Sequence, residues 1–168
     1  AAKMPIAGFS VTIPHKQKII RYLDIVDPLA RRIGAVNTVW RKAGKWRGTN
    51  TDVEGVLVPL KKKLNLAKSS VLIVGNGGSA RGAAFALSDA GAKVSIAGRN
   101  LDRVRALSKI TNATPLTREQ AENSMFDALV HCTPVGMFPH GEECFFKDKV
   151  PGEIVFDMVY NPLETVLI

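Results

Sequence analysis

The apolar residues of the second two thirds of this chain alternate between short buried runs and helical spacing. Residues 71–74 read VLIV, a run without a polar member, which predicts a buried strand. Further strands are predicted at 93–97, 128–131 and 154–158. Helices are predicted at 79–90, 101–109 and after Thr117, where Thr117 and Gln120 fit a capping box. Strands that alternate with helices predict an α/β fold with a Rossmann-like parallel sheet and right-handed crossovers.

The first fifty residues have a less regular pattern. A short strand is predicted at 9–13, followed by a helix from about residue 16 with an apolar face. A second helix is expected to begin after Asp27, with Pro28 in its first turn, and to end at Gly34. Two strands at 35–40 and 46–49 would be joined through a turn that contains Gly44.

An amphipathic helix is predicted at 52–64, between these two patterns. We therefore expect part of a smaller α/β lobe at 1–52 and a Rossmann-like domain at 53–160. Residues 161–168 are expected to begin a helix that returns to the first lobe.

Composition limits the function classes. The chain has 168 residues, 46% of them hydrophobic, and a formal net charge of +8. The basic residues are dispersed and no nucleic-acid motif is recognised, which argues against a nucleic-acid partner. No apolar run approaches the roughly 20 residues that span a bilayer, so we expect no membrane partner and a cytoplasmic location. The two cysteines are expected to remain reduced, and no metal site is predicted.

Residues 75–80 read GNGGSA and follow the apolar run at 71–74 directly. The motif fits Gly-x-Gly-x-x-Ala between a strand and a helix, which indicates a dinucleotide site. Gly75 permits the tight turn, Gly77 lets the backbone approach a pyrophosphate, and Ala80 keeps the helix close to the sheet. Gly78 and Ser79 complete the turn, where unpaired N–H groups face the phosphates.

The end of the next strand distinguishes between the two nicotinamide dinucleotides. An enzyme that uses NAD generally has an acidic residue there, whereas this chain reads AGRN at 97–100. Arg99 can pair with a 2′-phosphate and Asn100 can donate a hydrogen bond, which favours NADP. Arg81, Arg103 and Arg105 are further candidates for the phosphate contact.

Two polar motifs precede the glycine turn. Residues 11–16 read VTIPHK and residues 50–52 read NTD, with IGAVNTV at 33–39 between them. The combination resembles shikimate dehydrogenase, a family whose catalytic lysine lies in a Val-Thr-x-Pro-x-Lys motif and whose catalytic aspartate ends an Asn-Thr-Asp motif. The likeness extends over nearly the whole chain and implies that Lys16 and Asp52 are the catalytic pair. A lysine ammonium suits the reduction of a ketone, because it can supply a proton and stabilise the developing alkoxide.

The resemblance implies roles for other residues as well. Thr12, Asn37 and Asn50 match family positions that contact the substrate hydroxyls or carboxylate, and an asparagine side chain can both donate and accept. Tyr160 would face the substrate, and Thr133 would line the nicotinamide pocket. NADP-dependent members typically read Asn-Arg-Thr where this chain has Gly98, Arg99 and Asn100.

The activity that the resemblance implies is the NADP-dependent, reversible reduction of 3-dehydroshikimate to shikimate in aromatic amino acid biosynthesis. Two alternatives stay open. A quinate or quinate/shikimate dehydrogenase shares the lysine and aspartate but often prefers NAD, and a noncatalytic fragment or regulatory module of this fold is the alternative outside enzymes.

Shikimate dehydrogenases also carry a preceding strand and helix with a Ser-x-Ser motif, and a C-terminal helix with a substrate-binding glutamine. Neither feature is found in these 168 residues, so we expect a chain truncated at both ends. The expected assembly is a monomer or homodimer, either as a free enzyme or as one domain of a multifunctional chain.

Overall fold

The structure, a computed structural model, describes residues 6–168 and contains two β-sheets with helices packed against them. The first sheet has four strands: β1 (Gly8–Ser10), β2 (Ile25–Val26), β3 (Thr38–Lys42) and β4 (Lys45–Thr49). Their spatial order is β1-β3-β4-β2, and only the β2–β4 pair is parallel. The hairpin of β3 and β4 confirms the two strands predicted around Gly44.

The prediction of a strand followed by a helix near the N-terminus was only partly right. β1 covers three residues instead of the predicted five, and the expected helix from residue 16 is a 3-10 helix at Lys18–Tyr22. The backbone carbonyl of Lys16 accepts a hydrogen bond from the Val36 amide at 2.8 Å, and His15 N–H bonds back to Thr12 O. These bonds hold residues 12–16 as a turn against the neighbouring segment.

The first α-helix, α1 (Pro28–Ile33), forms where the capping pattern predicts it. The Asp27 side chain accepts a hydrogen bond from the Ala30 amide at 2.8 Å, and Gly34 ends the helix in the left-handed conformation with φ of 72°. Ala30 and Ile33 face the core. The cap and the C-terminal glycine together fix both ends of a six-residue helix.

Helix α2 (Asp52–Lys61) leads from the first sheet to the second, within the predicted span 52–64. Its buried side chains are Val53, Val56 and Leu60. Val56 and Leu60 belong to the core of the second sheet, whereas Val53 packs with Ile33 at the end of α1. This helix therefore joins the two halves of the fold and places Asp52 at their junction.

The second sheet is fully parallel, as predicted for an α/β fold. Its strands are β5 (Ser70–Val74), β6 (Lys93–Ala97), β7 (Thr114–Leu116), β8 (Phe126–His131) and β9 (Gly152–Asp157), and they lie in the order β7-β6-β5-β8-β9. The connecting helices are α3 (Gly78–Asp89), α4 (Leu101–Thr111) and α5 (Arg118–Glu122). The capping box of Thr117 and Gln120 at the start of α5 is confirmed.

The central strand β5 is buried on both faces, because side chains from two separate clusters cover it. Val71 and Ile73 pack with α3 and α4, whereas Leu72 and Val74 pack with Leu129 and residues on the other side. The connection from β7 to β8 carries the chain to the other side of β5, so the strand order reverses between the neighbouring strands β5 and β8. In open parallel sheets, ligands bind outside the carboxyl ends of the strands at such a point.

Residues 161–168 do not form the predicted helix. They form bends and a turn, closed by the Ile168 amide on Thr165 O. Thr165 donates to Asp157 at the end of β9, and Leu167 is buried in the core of the second sheet. These two contacts hold the segment against the second sheet. No helix within residues 6–168 is long and apolar enough to cross a membrane.

Candidate active site

The predicted catalytic pair meets across the junction of the two halves of the fold. Lys16 follows the turn after β1, and Asp52 is the first residue of α2. The ammonium Nζ of Lys16 lies 2.7 Å from Asp52 Oδ2, and the two side chains are 11% and 10% exposed. An ion pair of this kind is largely shielded yet still reachable from solvent. The residues are 36 positions apart in the chain, so the contact depends on the tertiary fold.

Three hydrogen bonds hold Asp52, two at its carboxylate and one at its backbone. Its Oδ2 accepts from Lys16, and its Oδ1 accepts from the side-chain amide of Asn37 at 2.8 Å. The backbone N–H of Asp52 donates to Asn50 Oδ1 at 3.0 Å. Both carboxylate oxygens therefore have a donor, and Asp52 is fixed as an acceptor facing Lys16.

Lys16 also contacts the helix that follows the glycine turn. Its Nζ donates to Ser79 Oγ at 2.9 Å. Gly78 leaves room for the lysine stem, since a Cβ built at Gly78 would lie 2.7 Å from the Lys16 Cβ. An ammonium has three N–H donors, and within residues 6–168 two of them are used, by Asp52 and Ser79. One donor remains for a ligand oxygen. We call Lys16, Asp52, Asn37 and Ser79 the lysine cluster.

The glycine turn has the shape that a dinucleotide phosphate requires. Gly75 adopts φ of 124°, and a Cβ there would lie 3.1 Å from the Cys132 carbonyl oxygen, so a larger residue does not fit. Gly77 borders open space, because a Cβ built on it would meet no atom of residues 6–168 within 4 Å other than those of its chain neighbours. Gly77 caps α3 without a side-chain hydrogen bond, which leaves the first N–H groups of the helix for a ligand. Ala80 is fully buried against the sheet, as predicted from the motif.

The structure distinguishes among the arginines that were candidates for the 2′-phosphate contact. Arg99 is exposed just after β6, next to the glycine turn, since Gly98 lies against Asn76. Arg81 is less suited to this contact, because its Nε donates to the Ile33 carbonyl oxygen at 2.5 Å and its guanidinium packs on Gly34. The guanidinium of Arg105 lies 3.6 Å from the carboxylate of Asp102, one turn earlier in α4.

Asn100 combines two roles at the start of α4. Its Oδ1 accepts from the Arg103 amide at 3.0 Å and thereby caps the helix. Because the cap uses only the oxygen, the side-chain NH₂ of Asn100 remains a donor toward a phosphate. The residue is exposed, which is compatible with this second contact.

The predicted substrate wall is only partly brought together. Asn37 lies in the lysine cluster, but its amide is engaged, with Nδ2 donating to Asp52 and Thr51 and Oδ1 accepting from the Thr51 amide. Asn50 is 4% exposed and lies behind Asp52, where its NH₂ donates to the Ala35 carbonyl oxygen at 3.0 Å.

The other two predicted substrate contacts, Thr12 and Tyr160, are exposed to solvent. Thr12 is exposed in the turn before Lys16, and Tyr160 is 83% exposed beyond β9. The contacts of these four side chains with a substrate stay predictions, and the burial of Asn50 favours a role in orienting Asp52.

The loop after β8 lies between the glycine turn and the lysine cluster. Thr133 contacts the turn, since a Cβ at Gly75 would lie 3.2 Å from its methyl group. Burial, and to a lesser extent the charge of Asp52, raises the pKa of the Cys132 thiol far above its ordinary value. Cys132 is therefore a neutral thiol at physiological pH and does not act as a nucleophile.

Sequence reasoning missed the partners that surround this loop. His131 is 1% exposed, and its two ring nitrogens contact Asp157 and Thr133. The available signal was position, because His131 is the last residue of one predicted strand and Asp157 is the last but one of another. Once those strands are neighbours in a parallel sheet, their last side chains lie at the same edge.

Two sequence profiles of one enzyme family match separate parts of this chain. Residues 1–39 match the profile described as the shikimate dehydrogenase substrate binding domain, and residues 59–135 match the profile described as shikimate / quinate 5-dehydrogenase. Together with the lysine cluster and the glycine turn, these matches decide the assignment. The chain belongs to the shikimate dehydrogenase family.

Relatives and solved structures agree with this assignment to the shikimate dehydrogenase family. A shikimate dehydrogenase (NADP(+)) from Bacillus cereus is 40% identical over 177 residues, covering 97% of this chain and 63% of the relative. A Thermus thermophilus shikimate 5-dehydrogenase in complex with NADP(H) and shikimate superposes with a TM-score of 0.83 at 35% identity, over 96% of this chain and 61% of that chain. A Corynebacterium glutamicum quinate dehydrogenase in complex with NAD superposes with a TM-score of 0.79 at 32% identity, over 97% of this chain and 62% of that chain.

This chain therefore spans about 63% of the length of the curated shikimate dehydrogenases that it matches. The matched part contains the lysine cluster, the glycine turn and the parallel sheet. The confirmed elements of the assignment are the family and its Rossmann-like α/β fold.

Proposed function

We propose that this chain carries the catalytic core of an NADP-dependent shikimate dehydrogenase, which interconverts 3-dehydroshikimate and shikimate. The observation that carries the proposal is the Lys16–Asp52 ion pair, 2.7 Å across, bonded through Lys16 to the first turn of the helix behind the glycine motif. A proton donor and a dinucleotide turn are thus in contact through one hydrogen bond.

Lys16 is the proposed proton donor for ketone reduction. NADPH, when bound, supplies the hydride. The free N–H of the ammonium stabilises the oxygen as negative charge develops on it and then transfers its proton to that oxygen. Asp52 keeps the ammonium in place, and Asn37 keeps Asp52 in place. In the reverse direction, the neutral amine of Lys16 takes the hydroxyl proton from shikimate.

NADP would bind along the carboxyl ends of β5, β6 and β8. Residues 75–80 supply backbone N–H groups for the pyrophosphate, and Gly77 provides the room for it. Arg99 and the NH₂ of Asn100 would hold the 2′-phosphate, since both are exposed beside the turn. Thr133 would face the nicotinamide.

The substrate would lie on the side of the first sheet, next to Lys16. Asn37, Thr12 and Tyr160 are the proposed contacts to its hydroxyls and carboxylate, and Asn50 orients Asp52 from behind. We propose the division into a substrate lobe at 1–52 and a cofactor domain at 53–160 on the same basis. A cytoplasmic location and a monomeric or homodimeric state, free or fused, stay predictions.

Steady-state assays with two substrates and two cofactors test this function. We expect the highest kcat/KM with shikimate and NADP. Arg99→Ala should lower kcat/KM with NADP about tenfold or more, because a charge-assisted contact to phosphate contributes about 1.5–3 kcal/mol, and should leave activity with NAD little changed. Arg41→Ala, which removes an exposed arginine in β3 of the first sheet, is the matched control.

A quinate dehydrogenase is the second candidate, favoured by the similarity to the Corynebacterium glutamicum enzyme in complex with NAD. Equal or better kcat/KM with quinate and NAD would select it. Absence of turnover with all four combinations, in protein that is folded by circular dichroism, would instead support a noncatalytic fragment. An unchanged NADP/NAD ratio in Arg99→Ala would remove Arg99 from the cofactor site.

A further inference from the structure

A buried chain of three polar side chains lies beneath the loop that follows β8. His131 and Asp157 are paired in register at the carboxyl ends of β8 and β9. His131 Nδ1 lies 2.8 Å from Asp157 Oδ1, and His131 Nε2 lies 2.6 Å from Thr133 Oγ1. The side chains of His131 and Asp157 are 2% and 0% exposed. We call Asp157, His131 and Thr133 the histidine cluster. The mechanism proposed above does not use its two buried members.

Asp157 is an ionised acceptor in this cluster. Burial alone raises its pKa, but the hydrogen bonds from His131, the Val159 amide and the Thr165 hydroxyl outweigh burial and hold the pKa below its usual range. The Val159 and Thr165 bonds are 2.9 Å and 2.7 Å long. An ionised carboxylate only accepts, so the bond to His131 requires a proton on Nδ1.

The direction of the Thr133 hydroxyl proton depends on the second ring nitrogen of His131, Nε2. A hydroxyl has one proton and two lone pairs. Within residues 6–168, Thr133 Oγ1 has two hydrogen-bonding partners, His131 Nε2 and the Val135 amide, which donates at 3.2 Å. If the ring carries its only proton on Nδ1, Nε2 accepts, and the hydroxyl proton then points inward to the ring. One lone pair takes the Val135 N–H, and one remains for a ligand.

Thr133 presents that lone pair beside the proposed cofactor turn. A Cβ built at Gly75 would lie 3.2 Å from the Thr133 methyl group, so Thr133 lies beside the glycine turn. The preceding residue, Cys132, is close enough to Asp52 and Lys16 for their charges to affect the pKa of its thiol. Thr133 therefore lies near both the dinucleotide turn and the lysine cluster. A ligand group that meets it there must be a hydrogen-bond donor.

We propose that Asp157 and His131 are positioning residues that hold Thr133 as a pure hydrogen-bond acceptor, and that Thr133 Oγ1 accepts an N–H from the carboxamide of the bound nicotinamide. This inference rests on the proposed function, because it assumes a nicotinamide dinucleotide in the site. It assigns to the buried pair the task of setting the direction of one hydroxyl at the cofactor pocket. A primary amide offers two N–H donors, which match the acceptor that the cluster presents.

The order carboxylate, imidazole, hydroxyl is also that of nucleophilic triads. In a triad the imidazole takes the hydroxyl proton while the oxygen attacks a substrate. The same contacts in this protein orient the hydroxyl for binding. Covalent labelling distinguishes the two cases, since an adduct of diisopropyl fluorophosphate on Thr133, found by mass spectrometry, would overturn the positioning role.

The protonation pattern can be measured directly in the folded chain. Long-range ¹H–¹⁵N correlation spectra report which nitrogen of each of the three histidines carries a proton. His15 and His140 are exposed, and His15→Gln and His140→Gln would assign their signals by elimination. At neutral pH we expect His131 protonated at Nδ1 and unprotonated at Nε2. A proton on Nε2, in either the other tautomer or the imidazolium, would overturn the proposal whether or not the protein binds a cofactor.

Calorimetric titration with two probes tests the ligand contact. The probes are NADP⁺ and 2′-phosphoadenosine 5′-diphosphoribose, which lacks only the nicotinamide. Thr133→Val should bind NADP⁺ roughly five- to tenfold more weakly and bind the second probe as wild type does, because it loses one neutral hydrogen bond. Thr133→Ser keeps the hydroxyl and should restore the affinity for NADP⁺.

His131→Gln extends the test to the positioning role. If the variant is folded by circular dichroism, it should lose affinity for NADP⁺ selectively, as Thr133→Val does, whereas a purely structural role would weaken both probes equally. Equal losses for both probes, or none, would overturn this inference and leave the proposed function intact. Wild-type protein that binds neither probe would overturn the proposed function itself, together with the assignment of the ligand.

Discussion

The lysine cluster and the histidine cluster each pair a carboxylate with a nitrogen base, but in different surroundings. In the first, Lys16 and Asp52 keep about a tenth of their side-chain surface exposed, and one ammonium proton has no protein acceptor within residues 6–168. In the second, Asp157 is fully buried and every polar atom of His131 is bonded. The difference is one of availability, since only the lysine cluster has a proton to give.

The comparison indicates how the two clusters divide their tasks. The lysine cluster joins segments from both halves of the fold. The histidine cluster instead links the ends of β8 and β9 with the loop that follows β8, and Thr165 after β9 bonds to it. A group that exchanges protons must reach the ligand, and a group that sets geometry is best kept from solvent. Substitutions in the first cluster should therefore affect turnover, and substitutions in the second should affect stability or binding.

Lys16→Ala should produce the largest effect. A positioned proton donor contributes about 10²- to 10⁴-fold to the rate, so we expect a fall of that size in kcat with a modest change in KM for shikimate. Steady-state kinetics with NADP and a thermal melt on the same samples measure both properties. The melting temperature should change little, because Asp52 keeps its bond from Asn37.

Lys18→Ala is the matched control for that variant. Lys18 lies two positions further along, exposed in the 3-10 helix, and carries the same charge. Its removal should leave kcat within about twofold, as is usual for surface changes of at most 0.5 kcal/mol. Near-normal turnover in Lys16→Ala, or an equal loss in both variants, would contradict the role of Lys16 as proton donor.

Two neighbouring glycines sharpen the comparison, because the same added methyl group meets different surroundings. In Gly78→Ala the new Cβ would lie 2.7 Å from the Lys16 Cβ, so the lysine must move. We expect kcat to fall about 10- to 100-fold, since a displacement near 1 Å can cost that much. In Gly77→Ala the methyl group meets no protein atom and occupies the room proposed for the pyrophosphate.

The expected signature of Gly77→Ala is a KM for NADP raised about tenfold, or about 1.4 kcal/mol, with kcat changed far less. The two variants should thus separate into a kcat defect and a KM defect in the same steady-state assay. Identical defects in both would mean that the glycine turn affects Lys16 and the cofactor as one unit.

The parallel sheet was the part of the fold best predicted from sequence. The predicted span 93–97 coincides with β6, and β5 differs from its prediction by one residue, because continuous apolar runs define buried strands well. The first sheet was predicted less well. β2 has two residues and the exposed β1 has three, so neither offers enough alternation to be read as a pattern. The edge strand β7, which contains Pro115, was missed for the same reason.

The two clusters differ in predictability as well. Lys16 and Asp52 were found through the family motifs, since no periodicity links residues 36 positions apart. The contact of His131 with Asp157 depends on the order of the strands, which the strand pattern alone leaves undetermined. Asn50 lies beside Asp52, as its place in the Asn-Thr-Asp motif indicates, but the motif does not show that Asn50 is buried.

The smallest expected effect concerns the histidine cluster. It is a change in the stability of the fold and in how that stability depends on pH. Asp157→Asn should lower the free energy of unfolding at pH 7 by about 1–3 kcal/mol, since it weakens bonds made to a buried carboxylate. For a chain of this size that corresponds to a melting temperature lower by a few degrees. Asp89→Asn, which breaks the exposed pair with Arg32, is the control and should cost about 1 kcal/mol or less.

The sign of the pH dependence follows from the lowered pKa of Asp157. A carboxyl whose pKa is lower in the folded state stabilises the fold above its unfolded value of about 4, and this stabilisation is lost as pH falls through the folded pKa. The gap in melting temperature between wild type and Asp157→Asn should therefore stay constant from about pH 8 to pH 5 and narrow below about pH 4. Because the variant has no proton to gain at position 157, a gap that widens on acidification would show that Asp157 is not held as an ionised acceptor, and the histidine cluster would then lose the charge that fixes its ring.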